Sequence, residues 1–221
     1  MPMFKNLFFD LDGTILETIT DIRIAINEAL GINGLFHDYS DKDVVHFIGD
    51  GADMLVRRAM KEHAGNPELF AKVKVNYMPL YKKYQNDHAR PFPLLIDSLK
   101  ELKNDGCNLY VVTNKPHELA CYIVGYHFGP LFSRVEGHRE GMPVKPDPVL
   151  INRIIGEEGL ERNDCLFVGD SITDINTATN AHVPCCLCLW GYGNYDDATL
   201  ARADYTVSSP DRIVDVVRQK N

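Results

Sequence analysis

The 221-residue sequence predicts an α/β fold: a Rossmann-like, mostly parallel sheet with helices on both faces and a helical cap inserted near its start. Three observations lead there. Short apolar, β-rich runs alternate with helical patterns, the signature of βαβ units. The first two runs lie about a hundred residues apart with no convincing strand between them, far more than a single crossover needs. The residues with most chemical potential fall just after the runs, where open α/β sheets bind their ligands.

Strands are expected at residues 4–9, 108–112, 132–135, 165–168, 185–189 and, as a short last run, 204–207. Each is rich in β-branched, aromatic or other apolar residues, as strands of a buried parallel sheet are. In the gap, Asp21–Leu30 sets Ile22, Ile26, Ala29 and Leu30 on one helical stripe, and Thr18 and Asp21 are spaced as a capping box. A second helix, Ala52–His63, turns Ala52, Leu55, Val56, Ala59 and Met60 inward, with Arg57 and Lys61 on the opposite face and Arg58 beside them. A surface pair between Arg58 and Glu62 fits their four-residue spacing. A third helix runs from Pro67 to Asn86, and Pro91 and Pro93 stop it. The expected core is therefore residues 1–16 with 89–221 and the cap is 17–88, with hinges around Leu16–Thr18 and Ala89–Phe92.

The formal charge of −8 argues against a nucleic-acid or membrane-surface partner, since phosphate backbones and anionic lipids would be repelled over most of the surface. An anionic ligand then needs a local positive pocket. No apolar stretch approaches the roughly 20 residues of a membrane span, and Asp10 interrupts the amino-terminal run before a secretory segment could form. A cytoplasmic protein is expected. The cysteines agree: Cys107, Cys121, Cys165, Cys185, Cys186 and Cys188 lie mostly inside apolar runs, and Cys-Cys-Leu-Cys reads as a buried strand. None of His37, His46 and His63 has metal-ligand spacing. Oligomeric state is left open.

Asp10-Leu11-Asp12-Gly13-Thr14 follows the first run directly. Side chains two apart in extended chain point the same way, so the two carboxylates can converge on one volume, unless the turn has already begun at Leu11. They repel, and a hard divalent cation such as Mg²⁺ would compensate their charge. After the run at 108–112 come Thr113, Asn114, Lys115 and Pro116, a hydroxyl and an amide at a helix start, where phosphate binds. Lys145 precedes Pro146-Asp147-Pro148 and offers an ammonium to a phosphoryl oxygen. Gly169-Asp170-Ser171-Ile172-Thr173-Asp174 ends the fourth run and makes Asp170 a second candidate metal ligand. Ser171 with Asp174 is equally a helix cap. Thr14 either joins the site or only stabilises the turn after Gly13. Gly191-x-Gly193 reads as a plain loop after the fifth strand.

Taken in order, Asp-Leu-Asp-Gly-Thr, Thr-Asn, Lys-Pro and Gly-Asp-Ser-x-x-Asp resemble the four motifs of the haloacid dehalogenase superfamily across nearly the whole chain. Phe47-Ile48-Gly49-Asp50-Gly51, Arg90-Pro91-Phe92-Pro93 and Val112-Thr113-Asn114-Lys115-Pro116 look like the phosphoglycolate phosphatases within it. The resemblance implies a two-step transfer of a phosphoryl group from a small phosphorylated metabolite, with 2-phosphoglycolate the leading substrate. Asp10 would attack phosphorus, and Asp12 would protonate the leaving oxygen and then activate water, which requires Asp12 to titrate above Asp10. Mg²⁺ would be held by Asp10, the Asp12 backbone carbonyl and Asp170, with Thr14, Ser171 and Asp174 around them. Thr113, Asn114 and Lys145 would cradle the phosphoryl oxygens. In the cap, Gly49, Asp50 and Gly51 either reach over the site or form the turn before the second helix, and Arg57 and Arg58 either meet the substrate or form a solvated face. A phosphosugar mutase like β-phosphoglucomutase, or a pyrophosphatase, could share these core residues. A phospho-accepting signalling domain would lack the helical insertion.

Overall fold

A computed structural model describes residues 3–218. It contains a six-stranded sheet in the order β5-β4-β1-β6-β7-β8, formed by β1 (Asn6–Phe9), β4 (Asn108–Pro116), β5 (Arg134–His138), β6 (Cys165–Gly169), β7 (Cys185–Cys188) and β8 (Tyr205–Val207). Every neighbouring pair is parallel. The α/β fold with a parallel sheet is therefore as expected, and so are all six strand positions to within a few residues. Two two-residue strands, β2 (Leu16–Glu17) and β3 (Arg90–Pro91), pair in a separate sheet. They are too short for a periodicity reading to register.

β1 is buried along its whole length. On one face the Phe8 ring stacks on Tyr110, centroids 5.1 Å apart, within a core that includes Phe167, Ile151, Ile154 and Leu187. On the other, Phe9 meets the edge of Phe132. Burying an aromatic side chain of this kind contributes about 2–3 kcal/mol, so this strand anchors both layers. It also sits where the strand order reverses. The chain leaves β1 toward β4 and β5 on one side, then returns to β6 and continues outward through β7 and β8 on the other. A crevice beyond the carboxyl ends of β1 and β6 is what such a switch point produces.

The chain divides into two compact units, one through Glu17 and from Pro91 onward, the other Thr18–Arg90. The second unit is helical: α1 (Ile19–Ile32), α2 (Asp41–Val45), α3 (Ala52–Ala59) and α4 (Pro67–Tyr84). The stripe Ile22, Ile26, Ala29 and Leu30 is buried. The expected capping box at its start is not formed. Thr18 makes no side-chain cap bond, and Asp21, fully buried, instead accepts hydrogen bonds from the backbone N–H groups of His88 and Ala89, with His88 Nδ1 2.8 Å away. A carboxylate on the buried stripe reaches the returning chain more readily than its own helix start.

The helix expected over Ala52–His63 is two pieces, α3 and a 3-10 turn at Lys61–His63, because Lys61 adopts φ of 49° and breaks the α geometry. α4 ends at Tyr84, before the prolines can act, and the following turn delivers His88 and Ala89 to Asp21. α2 escapes the sequence reading because its five residues are mostly polar. A complete capping box between Ser40 and Asp43 holds it. Among the described residues no helix is long and apolar enough to cross a membrane.

The first unit's other helices are α5 (Leu95–Asn104), α6 (His117–Phe128), α7 (Val149–Glu158), α8 (Ile172–Ala181), α9 (Asp197–Leu200) and α10 (Asp211–Arg218).

Candidate active site

Asp10 stands one residue beyond β1, and its N–H donates to Val168 O of β6 at 3.0 Å, which fixes it at the switch point. The chain then turns sharply. Leu11 O accepts from the N–H groups of Thr14, Ile15 and Leu16, and Gly13 adopts φ of 85°, a conformation that costs glycine least. Because the turn begins at Leu11, the carboxylates of Asp10 and Asp12 take different cationic partners. Lys145 Nζ lies 2.8 Å from Asp10 Oδ1, and Lys115 Nζ donates to Asp12 Oδ1 at 2.8 Å and Oδ2 at 3.1 Å.

One oxygen of Asp10, one of Asp170 and one of Asp174 lie within 4.8 Å of one another, from the ends of β1 and β6 and the first turn of α8. Asp12's carboxylate is not in that group; the turn at Leu11, the alternative that the sequence leaves open, sends it to Lys115. Asp174 is fully buried and saturated. Its Oδ1 accepts from Lys145 Nζ at 2.7 Å, and its Oδ2 accepts from the N–H groups of Asp170 and Ser171 and from Ser171 Oγ. It thus forms the helix cap with Ser171 and at the same time holds Lys145. Gly169 is obligatory beside it, since a Cβ there would run into the Asp174 carboxylate.

Lys145, only 2% exposed, bridges Asp10 and Asp174 and lies over the Phe167 ring. Burial opposes its charge, but the two carboxylates outweigh that and hold its pKa above the ordinary lysine value. Its backbone is fixed by Asn114, whose Oδ1 accepts from Lys145 N at 2.6 Å and whose Nδ2 donates to Lys145 O at 3.1 Å. The Asn114 side chain, expected beside a phosphoryl oxygen, is thus engaged in positioning Lys145. Thr113 is buried at the same strand end, and its Oγ1 accepts from Lys115 N at 3.2 Å.

Burial pushes the Asp10 carboxyl up to about 6, against the pull of Lys145 and with help from Asp174 and Asp12. Asp170 is pushed up to about 8 by burial, Asp174 and Asp10. Asp10 Oδ1 is buried and accepts no hydrogen bond beyond its 2.8 Å ion pair with Lys145. Crowded, desolvated carboxylates that share a single ammonium are the environment that a divalent cation relieves. Hard oxygen donors fit such an ion, and the cluster can hold one.

Asp170 is gripped from both sides. Thr14 Oγ1 donates to its Oδ1 at 2.8 Å, and Tyr192 N to its Oδ2 at 2.7 Å. Thr14 therefore contacts the acidic cluster and does more than steady its own turn. Lys115 and the loop at Tyr192 are site features that the sequence reading missed. A lysine in a polar segment reads as solvated, and nothing local marks a loop that approaches a carboxylate 22 residues earlier.

Gly49, Asp50, Gly51, Arg57 and Arg58 belong to the other unit and have partners there. Gly49 and Gly51 adopt positive φ before α3. Arg58 pairs with Asp50 and donates to Phe47 O and Ile48 O, so it holds that loop in place of the surface pair expected with Glu62. Arg57 lies over the Phe70 ring, 4.0 Å from its centroid, and donates to Ala64 O.

The family model of haloacid dehalogenase-like hydrolases matches residues 7–188, which carry Asp10, Lys115, Lys145, Asp170 and Asp174. The chain belongs to that family. Similar proteins include the phosphoglycolate phosphatase of Vibrio vulnificus, 30% identical over 219 residues and 96% of each chain. The solved structure of a predicted phosphoglycolate phosphatase from Haemophilus somnus has a TM-score of 0.90 at 30% identity, over 98% of this chain and 99% of that one. Another from Lactobacillus delbrueckii has a TM-score of 0.90 at 28% identity, over the whole of both chains. As a haloacid dehalogenase-like hydrolase similar to these enzymes throughout its length, the chain is a phosphoric monoester hydrolase.

Proposed function

We propose that this haloacid dehalogenase-like hydrolase is a Mg²⁺-dependent phosphatase of small phosphomonoesters, with 2-phosphoglycolate as its substrate, acting through an aspartyl-phosphate on Asp10. The observation that carries the reading is the buried Asp10 carboxylate, held at the switch point with Oδ1 2.8 Å from the Lys145 ammonium and with one oxygen within 4.8 Å of oxygens of Asp170 and Asp174. A carboxylate nucleophile brings a lone pair to phosphorus, and a cation beside it accepts the charge of the arriving phosphoryl oxygens. The similarity to phosphoglycolate phosphatases supports the choice of substrate.

In the first step an Asp10 carboxylate oxygen forms a bond to phosphorus as the ester P–O bond breaks, and Asp12 passes a proton to the departing oxygen. In the second, Asp12 takes a proton from water as the water oxygen bonds to phosphorus and the Asp10–phosphorus bond breaks. Lys145 and Thr113 bind the phosphoryl oxygens, Asn114 keeps the Lys145 backbone in register, and Asp174 orients the ammonium. Lys115 holds the Asp12 carboxylate in place. Asp10, Asp170 and the Asp12 backbone carbonyl would hold Mg²⁺, which supplies electrostatic stabilisation of the transferring group. Residues Thr18–Arg90 correspond in this reading to the cap of the resemblance, to which substrate choice is assigned.

The test is phosphate release from a panel of phosphomonoesters, with Mg²⁺ and after chelation. The expected outcome is Mg²⁺-dependent turnover with 2-phosphoglycolate preferred. Interconversion of phosphosugars without phosphate release would replace the reading with a mutase, and turnover unaffected by chelation would remove the metal from it.

A further inference from the structure

We infer that the loop Trp190–Gly193 is a positioning clamp for Asp170 that sets the affinity of the acidic cluster for a divalent cation. The inference rests on the proposed reading of Asp170 as a metal ligand. It draws on a segment that no motif of the site includes.

Three features of the loop converge on this one carboxylate. The Tyr192 N–H donates to Asp170 Oδ2 at 2.7 Å. Gly191 lies against Asp170 so closely that a Cβ would strike the carboxylate and the Gly13 carbonyl oxygen, and a Cβ on Gly193 would strike the Asp170 carbonyl oxygen. Across the site, a Cβ on Gly13 would lie 2.6 Å from Asp170 Oδ2 and 2.7 Å from the Tyr192 ring. Glycine at all three places therefore allows two backbone segments to close on the carboxylate. The loop is also tied to the opposite wall. Trp190 Nε1 donates to Thr14 O at 3.1 Å, and Thr14 Oγ1 donates to Asp170 Oδ1 at 2.8 Å. Phe92 packs against the Trp190 ring, centroids 6.3 Å apart.

The result is a closed circuit from Trp190 to Thr14 to Asp170 to Tyr192. Each Asp170 oxygen receives one donor, which fixes the plane of the carboxylate. A carboxylate oxygen has a second lone-pair direction, and with the plane fixed those directions point the same way before any ion arrives. Partners that orient a metal ligand typically change metal affinity by 10–100-fold when removed. The loop is short and placed by the end of β7, so its precision comes from the sheet.

The experiment is calorimetric titration of the full-length protein with MgCl₂, without substrate, alongside melting of the metal-free protein. Gly191→Ala is expected to weaken Mg²⁺ binding by about tenfold or more, and Trp190→Phe, which removes the indole N–H together with part of the ring, by a few-fold. Should Gly191→Ala fail to fold, Trp190→Phe with an unchanged metal-free melting temperature carries the test. Weaker Mg²⁺ binding there supports the clamp. Binding equal to wild type in the folded variants overturns it. Asp170→Ala separates the two ideas: Mg²⁺ binding lost there but untouched in the loop variants sinks the clamp alone, whereas binding retained in Asp170→Ala sinks the ligand assignment on which it rests.

Discussion

Asp10→Asn is expected to abolish turnover and at the same time make the metal-free protein more stable. The carboxyl rises from 3.8 to about 6 because burial and neighbouring acids outweigh Lys145. Between those pH values the folded state holds a proton that the unfolded chain has released. Folding is therefore penalised progressively as pH rises through this window, and the penalty is constant above it. The size corresponds to about 3 kcal/mol, since each tenfold change in proton affinity is worth about 1.4 kcal/mol. Asparagine never charges, keeps an oxygen for the nearby ammonium, and leaves Lys145 its bond to Asp174. In urea titrations with chelator present, the variant should match wild type near pH 4 and exceed it by up to about 3 kcal/mol near pH 7. Excess Mg²⁺ should narrow or reverse the gap, because a ligand that binds the native state stabilises the better binder. A variant no more stable than wild type at neutral pH in chelator, or a gap independent of pH, would refute the electrostatic account.

Lys115→Met leaves Asp12 without its 2.8 Å ammonium partner and should lower kcat/KM by about a hundredfold while displacing the pH–rate profile. Steady-state kinetics across pH checks it, and an unmoved profile would assign Lys115 to packing. Asp21→Asn sets an amide N–H₂ against the N–H groups of His88 or Ala89 and should cost about 2–3 kcal/mol, seen as faster hydrogen exchange across residues 18–90. Gly169→Ala drives a methyl into Asp174 and should cost both stability and activity. A soluble variant with wild-type kinetics would show that the helix cap yields more easily than its geometry implies.

The parallel sheet was legible because its central strands, such as β1 and β6, read as short runs of mainly apolar residues followed by helical patterns. Phe8 and Phe167 are core residues on any reading of their neighbours. What escaped depends on chain segments meeting in space. Asp21 has the spacing of a capping acid, yet it serves amides 67 and 68 residues later. Lys115 has no role of its own in the Thr-Asn-Lys-Pro stretch until the turn at Leu11 brings Asp12 to it. Gly191 and Gly193 resemble any flexible linker, because the carboxylate they enclose lies just beyond another strand, β6. Asp10, Lys145, Asp170 and Asp174 stood out since each follows an apolar run or opens a helix, but the division of partners between Asp10 and Asp12 was not visible. It follows from where the backbone turns, which local pattern does not fix.

The single carboxylate of Asp21 bears on how such an insertion can be carried at all. By receiving both His88 and Ala89, it brings the exit of the helical unit back beside its entrance. Seen from the sheet, an excursion of more than seventy residues then behaves like a short hairpin, and the entropy of closing it falls on contacts inside the insert. Helices within that segment are free to diversify without disturbing the strand that delivers Asp10, provided the stitch at its base survives.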